Sequence, residues 1–148
     1  MIKVVFLATP EIAVKSLEYL ATREDIDVQA IVTMPDRPAG RGCKIQEPPV
    51  KNTAQKHNIK ILQTPSISKT PEMIEELKSM QPDFFVTFAF GQLLSQEVLD
   101  IPKFCTINLH ASLLPKYRGA NPIQWCIING EKETGITTMK TVKKMDAG

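Results

Sequence analysis

The chain opens on a continuous apolar run, Val4-Val5-Phe6-Leu7-Ala8, that ends at once in Thr9-Pro10-Glu11. An unbroken run of this kind suits a strand buried on both faces, as in a parallel sheet covered by helices. Thr9 can cap a helix, Pro10 suits its first position, and Glu11 favours the positive end of the helix dipole. Strand, tight turn and helix are therefore expected within the first dozen residues. Ala13, Leu17 and Leu20 then recur at helical spacing, and Val28 to Thr33 supplies a second apolar strand, completing a βαβ unit.

The same order continues after an interruption over Pro35 to Pro49. Val50 to His57 is expected to be a helix and Ile59 to Leu62 a strand. Thr70-Pro71-Glu72 starts another helix, with Met73, Ile74, Leu77 and Met80 as its buried stripe. Phe84 to Phe88 and Cys105 to Leu109 are two further strands, and Asn121 to Ile128 is a helix. A turn at Asn129-Gly130 precedes a last strand over Gly135 to Val142. Alternation of this kind predicts an α/β fold with a doubly wound, mostly parallel sheet.

At 148 residues, 43% of them hydrophobic, the chain can bury a real core as one domain or part of one, and no repeat or composition shift marks a second. A formal charge of +2 names no anionic partner, so any such partner must meet a local patch. Cys43, Cys105 and Cys126 are odd in number and widely spaced, which fits free thiols and neither a disulfide framework nor a zinc site. The first apolar run is too short for a secretory signal or a spanning helix. A cytoplasmic location, with no membrane partner, is expected.

Several chemistries are disfavoured. The first βα turn, Leu7-Ala8-Thr9-Pro10-Glu11-Ile12, lacks the glycines of a dinucleotide site. There is no Walker loop, no G-x-S-x-G elbow and no cluster of metal-ligating residues. Only two histidines are present, and His57, in Gln55-Lys56-His57-Asn58, suits the end of a helix and needs no chemistry. Metal-free side-chain catalysis or simple binding remains.

Along Cys105-Thr106-Ile107-Asn108-Leu109-His110, strand alternation puts Thr106, Asn108 and His110 on one face. The two candidate groups therefore point the same way at the carboxyl end of a strand, where open α/β sheets bind ligands. An amide NH2 beside an imidazolium can donate two hydrogen bonds to an oxyanion, as acyl or formyl transfer to an amine requires. A carboxylate such as Asp146 would hold the imidazole charged, above its ordinary pKa of about 6.5, and could help pass on the amine proton. The same spacing also fits an edge strand whose polar face meets solvent, with Asp146 an ordinary turn residue.

The segment that follows is Ser112-Leu113-Leu114-Pro115-Lys116-Tyr117-Arg118-Gly119, and Asp146-Ala147-Gly148 stands some forty residues beyond Asn108. This ordered set, N-x-H, S-L-L-P, aromatic-R-G and D-x-G, resembles the folate-dependent formyltransferase family. The resemblance implies a Rossmann-like fold, 10-formyltetrahydrofolate as co-substrate, no metal, and Asn108, His110 and Asp146 as the catalytic residues. It places the folate pocket on Phe88, Ala89, Phe90, Gly91, Gln92 and Leu93, on Ser112, Leu113, Leu114 and Pro115, and on Val142. It also implies that residues 1–148 are the N-terminal portion of a catalytic domain, with a C-terminal tRNA-binding barrel absent.

Within the family, the string Pro35-Asp36-Arg37-Pro38-Ala39-Gly40-Arg41-Gly42-Cys43-Lys44 is similar to the loop of members that formylate initiator methionyl-tRNA for translation initiation. Arg37, Arg41 and Lys44 would supply charged donors to phosphate, and Gly40 and Gly42 would let backbone amides approach. A solvated basic surface loop has the same composition. Folate and initiator methionyl-tRNA are the implied partners, and no protein partner is inferred. Departures include Ala8, where the family has Gly before Thr-Pro, and Asn121, where a small residue is usual. Leu114 to Gly119 with Trp125 is also similar to members acting on nucleotide-linked amino sugars, which stay as the alternative acceptors beside a non-catalytic folate- or RNA-binding fragment.

Overall fold

In the computed structural model the described residues are 1–142 apart from 40, 43, 112, 115, 117, 120 and 121. Strand β1 (Ile2–Ala8) leads into a 3-10 turn over Glu11–Ala13 and helix α1 (Val14–Thr22), and strand β2 (Ile26–Thr33) follows. A short hairpin, β3 (Arg37–Ala39) and β4 (Lys44–Gln46), precedes helix α2 (Pro49–Lys56) and strand β5 (Lys60–Gln63). Helix α3 (Pro71–Met80), strand β6 (Phe84–Phe88), helix α4 (Gln96–Leu99), strand β7 (Cys105–His110), helix α5 (Pro122–Ile128) and strand β8 (Thr137–Lys140) complete the order.

Six strands form one sheet in the order β5-β2-β1-β6-β7-β8, parallel throughout except for β8, which runs antiparallel to β7 at the edge. Strand β1 is central and its last five residues are buried, as the unbroken apolar run requires. Val5 and Leu7 enter one core layer with Val32, Phe85, Ile74 and Leu77. Phe6 and Ala8 enter the other, with Leu17, Ile31, Val50 and Phe88. Alternation along a single strand thus feeds two layers of helices. Truncating Phe6, which is fully buried, should cost about 3–5 kcal/mol.

Local differences from the sequence expectation have physical causes. Thr9 does not cap α1, because its hydroxyl oxygen instead accepts from the Thr33 hydroxyl at 3.3 Å and the Met34 N–H at 3.4 Å. The turn after β1 is tied to the end of β2, and a 3-10 turn carries the chain into the helix. The interrupted stretch holds the antiparallel β3/β4 hairpin, with Arg37 opposite Gln46 and Ala39 opposite Lys44. The last strand is shorter than the Gly135 to Val142 alternation. Cys105 and Cys126 are free thiols, while Cys43 lies outside the described residues.

The chain runs outward from β1 through β2 to β5, then returns to lay β6 on the other side of β1. By the general rule for open α/β sheets, that reversal sets the ligand crevice beyond the carboxyl ends of β1 and β6. Strand β7 lies next to β6, with Thr87 opposite Asn108 and Phe88 opposite Leu109. The end of β7 therefore stands beside the crevice.

Candidate active site

Strand β7 is flanked on both sides, by β6 and β8, so the edge-strand explanation of its polar face does not hold. Thr106, Asn108 and His110 share the face of the sheet that carries Phe85, since Thr106 is the register partner of Phe85 and Asn108 that of Thr87. Asn108 is half-buried and His110 is only 7% exposed. A buried imidazole at a strand end needs polar company, and His110 does make interactions there. Opposite it in the antiparallel register stands Thr137.

The Asn108 amide is oriented by a neighbour that the sequence reading did not single out. Thr87 donates from its hydroxyl to Asn108 Oδ1 at 2.7 Å. With the carbonyl oxygen engaged, the NH2 of Asn108 is left to donate elsewhere. Asp146 lies outside the described residues, as do Ser112 and Pro115.

Of the described residues in the loop after β6, Phe88 and Phe90 are core, one in each layer. Ala89 has a left-handed backbone at φ 50° and Gly91 at φ 77°, so the chain turns sharply between the two buried rings. A left-handed alanine costs energy that glycine would not, and such strain gathers at functional turns. Ala89, Gly91 and Leu93 are exposed, Leu93 at 75%. Gln92 is committed to the scaffold: Oε1 accepts from the Ile67 N–H at 2.8 Å, and Nε2 donates to the Thr64 carbonyl at 2.8 Å and to Met34 Sδ at 3.0 Å.

Beyond His110, the Leu114 N–H donates to Thr137 Oγ1 at 3.0 Å, fastening this loop to the edge strand. Leu113 is half exposed and lies over Gly135, where an added Cβ would meet Leu113 Cδ2 at 2.7 Å. Val142 is not brought to this place. It follows Thr141, whose N–H donates to the Thr106 carbonyl near the start of β7, so it lies toward the end of the strand away from His110.

The basic residues Arg37, Arg41 and Lys44 are all exposed on the hairpin, and Gly42 turns its tip with φ 84°, while Gly40 lies outside the described residues. The hairpin is anchored at its base. Asp36 accepts from Gln63 Nε2 at 2.8 Å and from Lys51 Nζ at 3.0 Å, and Lys51 also pairs with Glu47 at 3.3 Å. The hydrogen bond from Gln63, then that from Lys51, hold the Asp36 carboxyl below its ordinary range, and the Asp36 carboxylate raises Lys51. The two partners of Asp36 lie 15 and 27 positions along the chain, and no local motif announces them.

His57 caps the end of α2 through its backbone and is exposed, in line with a structural role. Among the described residues no group of His, Cys, Asp and Glu side chains is placed to hold a metal ion, and no helix is long and apolar enough to cross a membrane.

A family model described as formyl transferase matches residues 2–148. The methionyl-tRNA formyltransferase of Acetivibrio thermocellus is 57% identical over 146 residues, which is 99% of this chain and 46% of that protein. The methionyl-tRNA formyltransferase of Clostridium novyi is 53% identical over 146 residues, 99% of this chain and 47% of that protein. The chain thus spans about half the length of these curated relatives. Among solved structures, glycinamide ribonucleotide transformylase 1 from Geobacillus kaustophilus superposes with a TM-score of 0.76 at 25% identity, covering 100% of this chain and 78% of that one.

Proposed function

Because the chain belongs to the formyl transferase family, we propose that the intact protein moves the formyl group of 10-formyltetrahydrofolate onto the amino group of initiator methionyl-tRNA, in the cytoplasm. The observation that carries the chemistry is the pairing of a buried His110 with an Asn108 whose carbonyl oxygen is already taken by Thr87. Two donors are left on one strand face beside the crevice. When bound, 10-formyltetrahydrofolate supplies an activated formyl carbon. The exposed Ala89, Gly91 and Leu93 after β6 and Leu113 after β7 suit a flat, partly apolar ligand.

In this reading the α-amino group attacks the formyl carbon, a new C–N bond forms, and negative charge gathers on the formyl oxygen. Asn108 Nδ2 and His110 donate to that oxygen and lower the barrier. The bond from the formyl carbon to the folate nitrogen then breaks, and the proton released by the amine passes to that nitrogen. Asp146 is assigned to hold His110 in orientation, as the D-x-G resemblance implies.

The acceptor is supported by a separate set of residues. Arg37, Arg41 and Lys44 project from a hairpin whose base is braced by Asp36, Lys51 and Gln63, so the charges are presented on a fixed stem. Exposed guanidinium groups on a hairpin suit a phosphate backbone. The two methionyl-tRNA formyltransferases named above share more than half of their matched residues with this chain. Offering the intact protein 10-formyltetrahydrofolate with either methionyl initiator tRNA or a nucleotide-linked amino sugar tests the choice. Formylation of the tRNA alone is expected. Formylation of the sugar alone would overturn the acceptor and keep the chemistry.

A further inference from the structure

We propose that Thr87 is a positioning residue for formyl transfer, selecting the one orientation of the Asn108 amide that can serve an oxyanion. The inference rests on the reading of Asn108 as an oxyanion donor. A primary amide has nearly the same shape whichever way it is turned, yet its two ends have opposite chemistry. Turned one way, Asn108 offers two N–H donors to the developing negative charge. Turned the other, it offers a carbonyl oxygen that repels it.

Packing alone cannot tell these states apart, so a polar neighbour must. Thr87 is that neighbour: it is 5% exposed, it is the register partner of Asn108, and its Oγ1 lies 2.7 Å from Asn108 Oδ1. Its hydroxyl makes no other hydrogen bond among the described residues. Turning the amide over would leave that buried proton without its acceptor, which is costly away from water. As a β-branched residue on a central strand, Thr87 is also stiff about χ1, so the hydroxyl is held in place by the strand. Nothing in the run Phe84-Phe85-Val86-Thr87-Phe88 needs a hydroxyl for the fold itself, and valine would fill the same volume.

Kinetics of the intact protein test this, with kcat and the KM for 10-formyltetrahydrofolate measured separately. Thr87→Val should lower kcat about three- to tenfold, the range of a lost neutral hydrogen bond, with KM changed by less than about twofold. Thr87→Ser, which keeps the hydroxyl, should stay within about twofold of the parent. In an Asn108→Ala background, Thr87→Val should have no further effect, since the residue acts only through that amide. Should Thr87→Val fail to fold, Thr87→Ala against Thr87→Ser makes the same comparison. Parental kcat for Thr87→Val beside a crippled Asn108→Ala would overturn the inference alone. An equal loss from Thr87→Val with and without Asn108 would also overturn it. Parental transfer by Asn108→Ala would overturn the underlying reading as well.

Discussion

Gln92 donates to the Thr64 carbonyl at 2.8 Å, tying the loop after β6 to the residue that follows β5 on the far side of β1. The same side chain takes the Ile67 N–H and reaches Met34 Sδ, at the stem of the basic hairpin. One amide thus joins the proposed folate loop to the base of the proposed tRNA element. The family resemblance places Gln92 in the folate pocket, whereas the hydrogen bonds of its side chain run to the scaffold.

Gln92→Ala should therefore lower stability by about 2 kcal/mol, because it leaves the Ile67 donor and the Thr64 acceptor short of partners. Urea unfolding of the intact protein measures this. An unchanged midpoint and slope would show that the brace is dispensable.

The basic hairpin makes a prediction in salt. If Arg37 and Arg41 each meet a phosphate, replacing either by alanine should weaken tRNA binding and reduce the slope of log K against log salt by about 1. Binding of a folate analogue should not respond. Filter binding or fluorescence titration over a salt series would decide, and slopes equal to the parent's would remove the hairpin from the interface.

At the hairpin base, pH has a defined sign. Asp36 is held below its ordinary value chiefly by Gln63, then by Lys51. A depressed carboxyl contributes stability above its unfolded value of about 3.9 and loses it as pH falls through the lower folded value. Asp36→Asn should thus be less stable than the parent at neutral pH, and the gap should close as pH falls below about 4. Thermal unfolding across that window tests it. A gap of constant size down to pH 3 would contradict the assignment.

Much of the fold was legible because its strands are buried on both faces. Val4 to Ala8 and Val28 to Thr33 carry little polarity, and β-branched or aromatic runs of that length have few other stable forms. The hairpin was not legible. The residues of Arg37 to Gln46 whose burial is described are all exposed, so they show no buried period, and the anchors on Lys51 and Gln63 come from elsewhere in the chain. Thr9 looked like a helix cap because local chemistry favours one, but the Thr33 hydroxyl and Met34 N–H compete for the same oxygen.

At the site, Asn108 and His110 were found by alternation along one strand and by the family motif around them. Thr87 was not, since an isolated threonine in a strand carries no signal until register sets it opposite Asn108, 21 residues away. Val142 was expected near the folate, and the antiparallel direction of β8 carries it toward the other end of β7.

The central claim is that Asn108 and His110 stabilise the charge that develops on the formyl oxygen. Single-turnover transfer from 10-formyltetrahydrofolate to methionyl initiator tRNA, by the intact protein and its Asn108→Ala and His110→Ala variants, tests it most directly. Each variant should fold and bind folate yet transfer roughly a hundredfold or more slowly, the usual cost of one oxyanion donor. Transfer by both at close to the parental rate would contradict the account.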